Sequence, residues 1–282
     1  MERPKQRKTM EHWIQIVKQA LFEDVGSGDV TTDCTIPQGR EIEATLWAKE
    51  SGIVAGLQVF AAAFRLLDAD VQVTCRVQDG QAVTEGDRVA LIRGSARSVL
   101  TAERVALNFL QRMSGIATLT HKMVQAVQGT KARILDTRKT VPGLRYLDKW
   151  AVRLGGGENH RFGLFDMVLI KDNHIAACGG ISEAVNRLRQ CDEQKRLIEV
   201  EVKNLAELRE ALNLQVDRIL LDNMDIPALK KAVEITKQRI PLEASGNITL
   251  ENVRKIAQTG VDYISIGSLT HSVKALDLSL RL

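Results

Sequence analysis

The sequence predicts an α/β protein whose C-terminal part is a parallel, barrel-like sheet. Short apolar runs alternate with helical segments from residue 133 onward, which is typical of parallel βαβ units. Six such runs fit either a TIM-like barrel that lacks some units or an open doubly wound sheet. Polar residues follow every run, as they do at the mouth of a β/α barrel, and this favours the barrel.

The chain before residue 115 mixes helices and strands in an order that indicates a separate α+β unit. Apolar residues at helical spacing predict an amphipathic helix over 12–25. Further helices are predicted over 56–67, 97–111 and 116–127, the last two separated by a break at Ser114-Gly115. Strands are predicted over 41–50, 52–55, 71–77 and 88–93.

In the second part of the chain, the predicted strands cover 133–135, 167–170, 197–200, 218–221, 241–244 and 263–266. The predicted helices between them cover 182–190, 205–212, 226–236 and 250–258.

Bulk composition excludes several classes of protein. The 282 residues are 44% hydrophobic and 26% charged, which are ordinary globular values. A net charge of +4 is mild, so we expect no nucleic-acid partner. No apolar run approaches the roughly 20 residues that span a bilayer, so we expect no membrane partner. The four cysteines lack metal-ligand spacing and predict reduced thiols in a cytoplasmic protein.

The segment 136–175 concentrates positive charge around a glycine run. It contains Arg138, Lys139, Arg145, Lys149, Arg153, Arg161 and Lys171, together with His160 and His174. Guanidinium and ammonium groups are those that hold carboxylates and phosphates. The segment therefore predicts an enzyme that acts on a small, strongly anionic substrate.

Charged residues also follow three of the apolar runs directly, namely Lys171, Glu201 and Asp222. Any one of them could cap a helix or form a turn. Three charged side chains beside buried strands cost folding free energy unless they bind a common polar ligand. The cations Arg138, Lys139 and Lys171 would suit carboxylates or phosphates. The anions would suit ribose hydroxyls, a divalent metal or an electron-deficient carbon.

Two further features concern phosphate and a second subunit. The turns Ser245-Gly246-Asn247 and Gly267-Ser268 follow the last two predicted strands, where phosphate commonly binds in barrels. Arg104 and Asn108 share one helical face. They form either a solvated i,i+4 pair or a further clamp supplied across a subunit interface.

Long segments of the chain resemble bacterial quinolinate phosphoribosyltransferases. The resemblance rests on LFEDVGSGDVTTD, TAERVALNFLQRMSGIAT, DTRKTVPGLR, LGGGENHRFGLFDMVLIKDNH, EVEV, LLDNM, EASGNI and ISIGSLTHS, in that order. It implies an N-terminal α/β open-faced sandwich over 1–114 and an incomplete, six-stranded TIM-like α/β barrel over 115–269, with 270–282 joining the first domain. It also implies a homodimer, or a higher oligomer, in which Arg104 reaches the partner's barrel.

The resemblance implies a reaction and a set of site residues. Quinolinate and phosphoribosyl pyrophosphate would give nicotinate mononucleotide, pyrophosphate and CO₂, as a step of NAD biosynthesis. Mg²⁺ would be held mainly through the pyrophosphate, near Glu201 and Asp222 and without a direct protein ligand. The catalytic residues would be Glu201, Asp222, Lys139 and Lys171. Quinolinate would contact Arg104, Thr137, Arg138, Lys139, His160, Arg161 and Lys171. Phosphoribosyl pyrophosphate would contact Lys139, Lys171, His174, Glu201, Asp222, Ser245, Gly246, Asn247, Ile266, Gly267 and Ser268.

Three other functions stay open at this point. One is a paralogue of the same fold that takes another anion, such as the relatives encoded near molybdate transporters, although Arg104, Arg138 and Arg161 together favour a diacid. Another is a barrel lyase that uses Lys171 to form a Schiff base. The third is a lipoyl or biotinyl carrier, which the strand–DGQxV–strand–EGDxV pattern of 71–92 suggests. Such a carrier needs a lysine on its exposed hairpin, and this segment contains none.

Overall fold

The computed structural model describes residues 4–282, with side chains from residue 13 onward. The chain forms two compact units. The first contains the chain up to His121, together with Thr140–Gly156 and Thr270–Leu282. The second contains Lys122–Lys139 and Gly157–Leu269. The domain boundaries implied by the family resemblance stay a prediction.

The helices are α1 Pro4–Val25, α2 Val30–Thr35, α3 Leu57–Leu67, α4 Ala96–Ala126, α5 Arg145–Leu154, α6 Asp172–Cys178, α7 Ile181–Cys191, α8 Leu205–Asn213, α9 Ile226–Thr236, α10 Val253–Ala257 and α11 Ser268–His271. The strands are β1 Glu41–Ala48, β2 Gly52–Ile53, β3 Gln72–Cys75, β4 Ala82–Val83, β5 Arg88–Ser95, β6 Arg133–Leu135, β7 Val168–Ile170, β8 Ile198–Val202, β9 Arg218–Asp222, β10 Leu242–Ser245, β11 Tyr263–Ser265 and β12 Leu278–Arg281.

The first unit is built on an antiparallel sheet in the order β12-β1-β5-β3. Its core contains the completely buried Phe60 and Phe64 of α3 and Leu46 of β1. Helix α3 begins after Gly56, and the carboxylate of Asp79 accepts hydrogen bonds from the amides of Gly56 and Leu57, at 2.7 and 3.0 Å. These bonds satisfy amide groups that a helix start leaves without a partner.

The predicted break in the long helix is wrong. Helix α4 runs without interruption through Ser114 and Gly115. The small side chain of Ser114 allows its hydroxyl to accept the amide of Ala55 at 2.9 Å. A Cβ on Gly115 would collide with the carbonyl oxygen of Lys274. The two residues therefore allow neighbouring backbone to approach a continuous helix, which sequence alone cannot distinguish from a helix end.

The second unit is a parallel sheet of six strands in the order β6-β11-β10-β9-β8-β7. All six predicted strands are confirmed, with ends that shift by one or two residues. Since β6 and β7 are the edges, the sheet is an incomplete barrel that is open between them, as predicted. Strand β8 is buried along its whole length, so the side chains that point into the barrel include Glu199 and Glu201 at alternate positions.

Part of the predicted cation cluster lies in the first unit. Arg145, Lys149 and Arg153 belong to α5, a helix that the sequence analysis did not predict. The same helix carries Asp148, whose fully buried carboxylate accepts two hydrogen bonds from Arg112, at 2.9 and 2.8 Å. Strand β12 was also missed. Within the described residues, no helix is both long and apolar enough to cross a membrane.

Candidate active site

The carboxyl ends of the second unit's parallel strands bring the predicted charged residues to one edge of the sheet. Lys171 directly follows β7, Glu201 lies in β8 and Asp222 ends β9. The Nζ of Lys171 is 3.3 Å from Oε2 of Glu201, whose side chain is 9% exposed. Charges of both signs therefore stand side by side at this edge, and the lysine is half-exposed toward solvent.

His174 is held by the start of α6. Its Nδ1 accepts the amide of Lys171 at 3.0 Å, which ties the ring to the first turn of the helix. On the other side of this turn, Asp172 forms an ion pair with Lys203 at 2.9 Å. The hydrogen bond from Lys203, followed by that from the Asn173 amide, lowers the pKa of Asp172. The turn that follows Lys171 is thus held by two side-chain contacts.

Two strand ends carry strained backbone. Asn223 and Asn247 adopt left-handed conformations with φ of 53° and 52°, which are uncommon for residues other than glycine. The Nδ2 of Asn247 donates to Oδ1 of Asn223 at 3.2 Å. Gly246, at φ of 102°, lies so close to Asn223 that a Cβ would collide with its carboxamide. The turn Ser245-Gly246-Asn247 is therefore a shaped backbone surface beside Asp222, as a phosphate cradle requires.

The two arginines of the predicted diacid clamp are close to each other. Burial, followed by the positive charge of Arg138, lowers the pKa of Arg161, whereas Glu199 and Asp166 raise it. Arg161 is 9% exposed, and its Nη1 donates to the carbonyl of Met167 at 3.3 Å. The Nε of Arg138 is buried without a hydrogen-bond partner. Two guanidiniums that repel each other form a site in which a bound anion relieves the repulsion.

The remaining predicted residues of the second unit lie in the same loops or in the following turn. Thr137 and Lys139 flank Arg138, and the Thr137 hydroxyl accepts the Lys139 amide at 3.0 Å. The amide of Ile266 donates to the carbonyl of Leu135 at 2.9 Å, which joins the turn after β11 to the end of β6. Gly267 precedes α11, and Ser268 begins it.

His160 lies in a buried position behind these residues. The carboxylate of Asp136 accepts its amide at 2.9 Å. The ring Nδ1 accepts the amide of Arg161 at 2.7 Å. The ring Nε2 is 2.8 Å from Oε2 of Glu199 and 3.6 Å from Oε2 of Glu243.

The buried Glu199 and Glu243, together with the partly exposed Arg218, form a charged layer that the sequence analysis missed. Arg218 donates to Glu243 at 3.0 Å, and its Nε is 4.0 Å from Glu199. Burial raises the pKa of Glu199 to about 7, against the opposing charge of Arg218. Burial and the charge of Glu199 raise the pKa of Glu243 to about 7. The sequence signal was the alternation in 198–202, where two glutamates occupy one face of a buried strand.

Arg104 belongs to the first unit, where it is exposed on α4. It lines a cavity of about 380 Å³ together with Asp24, Asp29 and Val30, among others. The hydrogen bonds that Asp29 accepts from Thr32, followed by that from Thr101, lower the pKa of Asp29. This cavity is therefore bordered by both negative and positive charge.

Comparison with known families identifies the chain. Residues 29–114 match the model of the quinolinate phosphoribosyl transferase N-terminal domain, and residues 116–281 match that of the C-terminal domain. The chain belongs to the quinolinate phosphoribosyl transferase family. The two models meet within α4, at the residues Ser114 and Gly115 discussed above.

Individual members of the quinolinate phosphoribosyl transferase family are similar over nearly the whole chain. The quinolinate phosphoribosyltransferase [decarboxylating] 2b, mitochondrial, of Nicotiana tabacum is 50% identical, over 95% of this chain and 81% of its own. The probable nicotinate-nucleotide pyrophosphorylase [carboxylating] of Bacillus subtilis is 45% identical, over 94% and 92%. The crystal structure of NadC from Streptococcus pyogenes has 43% identity and a TM-score of 0.92, over 100% and 97%.

Proposed function

We propose that this chain transfers the phosphoribosyl group of phosphoribosyl pyrophosphate to quinolinate, with decarboxylation. The products are nicotinate mononucleotide, pyrophosphate and CO₂, so the protein is a pentosyltransferase of NAD biosynthesis. The observation that carries the proposal is the strand-end site. Two mutually repelling arginines lie in the same unit as a Lys171–Glu201 ion pair at 3.3 Å, in a chain that belongs to this family.

The residues at this site suit both halves of the reaction. A diacid neutralises the two guanidiniums of Arg138 and Arg161, whose planar donors hold carboxylates in a fixed orientation. Departure of pyrophosphate leaves positive charge on the ribose C1, and the carboxylates of Glu201 and Asp222 stabilise that charge. Lys139 and Lys171 offset negative charge on the leaving group. The ring nitrogen of quinolinate forms a bond to C1 and becomes cationic. Loss of CO₂ from the adjacent ring carbon leaves an electron pair that this cationic nitrogen stabilises, and a proton from water then takes the position of the carboxylate, so the step needs no general base.

Mg²⁺ is the proposed cofactor, and the site offers oxygen atoms of the kind that this ion binds. Carboxylate oxygens such as those of Glu201 and Asp222 are the ligands that Mg²⁺ prefers. Because Glu201 is already paired with Lys171, we expect the ion to lie near Glu201 and Asp222 and to be held mainly by pyrophosphate oxygens and water. When bound, Mg²⁺ would offset charge on the pyrophosphate.

A homodimer in which Arg104 completes the partner's site is the proposed assembly. Exposed apolar side chains mark surfaces that bind partners where they lie together in one patch. In the first unit Phe22 and Val30 are 71% and 75% exposed, and in the second unit Leu164 and Phe165 are 72% and 66% exposed. Val30 lines the same cavity as Arg104, so this arginine lies beside a surface suited to a second subunit.

Mixing variants tests whether sites are shared between subunits. Arg104→Ala and Arg161→Ala should each turn over very little substrate alone when quinolinate is present near the native KM. When the two variants are mixed and allowed to exchange subunits, activity should return. In each heterodimer, one of the two sites receives both arginines and the other receives neither. No recovery in a mixture shown by mass spectrometry to contain heterodimers would contradict a shared site.

The direct test of the function combines the protein with quinolinate, phosphoribosyl pyrophosphate and Mg²⁺, and follows nicotinate mononucleotide and CO₂ by chromatography and isotope release. Nicotinate in place of quinolinate is the control, since it lacks the second carboxylate. Chelation of Mg²⁺ should stop turnover.

Turnover, anion binding and borohydride trapping together separate the competing functions. Binding of another anion without turnover of quinolinate would favour a same-fold paralogue. Borohydride trapping of a carbonyl substrate on Lys171 would favour a lyase. The lyase is disfavoured because a Schiff base forms from a neutral amine, whereas Lys171 lies in an ion pair. A cytoplasmic location stays a prediction, since several plant relatives carry mitochondrial or chloroplastic names.

A further inference from the structure

His160 was predicted to be a ligand of quinolinate, yet its ring faces the protein. The residue is 8% exposed. Nδ1 accepts the backbone amide of Arg161 at 2.7 Å, and Nε2 is 2.8 Å from Glu199. Both ring nitrogens are thus directed at protein groups.

The hydrogen bond from Arg161 determines where the ring carries its proton. A backbone N–H can only donate, so the Nδ1 atom that receives it must offer a lone pair. A neutral imidazole with an acceptor at Nδ1 carries its hydrogen on Nε2. An imidazolium would place two N–H groups against each other at 2.7 Å. The contact therefore excludes the imidazolium and leaves Nε2 as the single donor of the ring.

The Nε2 proton lies between two buried carboxylates. Nε2 is 2.8 Å from Glu199 and 3.6 Å from Glu243, and both carboxylates are fully buried. The shorter distance lies in the range of an ion pair, and the N–H is not aligned on the oxygen. Arg218 neutralises part of the charge from the opposite side.

A metal ion is the competing occupant of the cluster formed by His160, Glu199 and Glu243, whose ligand atoms lie within 4.8 Å of one another. Two atoms that bind one ion at about 2.1 Å each are about 3 Å or more apart. The distance of 2.8 Å from Nε2 to Glu199 is shorter, and the guanidinium of Arg218 already supplies positive charge. A proton fits this space better than a dication.

We propose that His160 is a positioning residue: a neutral ring, protonated at Nε2, that joins the backbone of Arg161 to the buried carboxylates of Glu199 and Glu243. The role in quinolinate binding rests on the proposed function. Asp136 fixes the ring's own backbone by accepting the His160 amide at 2.9 Å. The ring thereby determines where the guanidinium of Arg161 stands without touching the diacid.

The decisive experiment measures the protonation state of the ring directly. The chain has five histidines, so ¹⁵N-histidine labelling of the full protein, with His160→Gln to assign the signal, gives a resolvable spectrum. We expect an unprotonated Nδ1 and a protonated Nε2 from pH 5.5 to 8, with and without quinolinate. A ring that becomes an imidazolium in this range, or when quinolinate binds, would overturn the proposal. So would a shift of both nitrogens on adding Zn²⁺ or Mn²⁺.

Kinetics provide the functional part of the test. In His160→Asn, the Oδ1 atom can still accept the Arg161 amide, but the link to Glu199 is lost. In Glu199→Gln, the charge under the ring is lost. Each should raise the KM for quinolinate by roughly tenfold to a hundredfold, the scale of a small misplacement of a binding group, and leave the KM for phosphoribosyl pyrophosphate within about twofold.

The double variant separates positioning from direct binding. If the two residues act through one another, the combined effect of both substitutions should be clearly less than the product of the single effects. Multiplying effects, or normal quinolinate affinity in His160→Lys, would contradict the proposal. His121→Gln, which replaces a partly exposed histidine of α4, is the matched control. Lack of any turnover in the native protein would refute the proposed function, while the nitrogen spectrum would still decide the state of the ring.

Discussion

Arg161 offers the sharpest test of the diacid site. Replacing it by alanine removes a side chain from a residue that is 9% exposed, and within the described residues its guanidinium makes one hydrogen bond, to the carbonyl of Met167. Most of its donors are therefore available to a ligand. We expect Arg161→Ala to weaken quinolinate binding and to leave the binding of phosphoribosyl pyrophosphate largely unchanged.

The lost hydrogen bonds to the diacid set the magnitude of this loss. A hydrogen bond to a charged group contributes about 1.5–3 kcal/mol, and a guanidinium can make two of them to one carboxylate. The repulsion between Arg161 and Arg138, which lowers the pKa of Arg161, is also absent from the variant, so a bound diacid no longer gains by relieving it. The net expectation is ~2–4 kcal/mol, or roughly 30-fold to 1,000-fold in Kd.

Calorimetric titration of quinolinate at fixed pH and ionic strength measures this change. Arg161→Lys should lie between the native protein and the alanine variant, because lysine retains the charge and loses the planar fork. Arg187→Ala is the control, since Arg187 forms an exposed pair with Glu183 at 2.7 Å. The reasoning is refuted if Arg161→Ala binds quinolinate within about threefold of the native Kd while circular dichroism shows it folded.

The remaining predictions concern turnover, backbone strain and pH. Lys171→Arg should lower kcat by about tenfold or more, because a planar fork cannot replace the point charge 3.3 Å from Glu201; unchanged kcat would count against the role given to Lys171. Gly246→Ala should raise the KM for phosphoribosyl pyrophosphate and lower the urea unfolding free energy by about 1–3 kcal/mol. Gly129→Ala, which has positive φ but open space around its Cβ position, should lose less, and equal losses would exclude the predicted collision. Burial raises the pKa of Glu243 from 4.5 to about 7, so the folded state holds a proton that the unfolded chain has released. The contribution of Glu243 to the unfolding free energy should therefore fall as the pH rises from 4.5 to 7, by at most about 1.4 kcal/mol per pH unit. Glu243→Gln should flatten that slope, and an unaltered slope would contradict the assignment.

Local pattern explains which elements were predicted and which were missed. The strands β6 to β11 are apolar runs of a few residues bounded by polar ones, and their period is visible without tertiary structure. Helix α5 was missed because its charged residues resembled a ligand-binding loop, whereas Asp148 is neutralised by Arg112, 36 positions away in the chain. The break at Ser114-Gly115 was predicted because small residues often end helices. Here they leave room for the backbone of Ala55 and Lys274 to lie against the helix.

The amino-acid sequence alone determined the six parallel strands of the second unit, the family, and the strand-end positions of Lys171, Glu201 and Asp222, because these depend on local spacing and motif. Only the tertiary structure decided which of those groups meet. It placed Glu199, Glu243 and Arg218 in one charged layer and directed both ring nitrogens of His160 into the protein. Partner and burial are set by residues distant in the chain, and they decide whether a histidine is a cation or a neutral hydrogen-bonding ring.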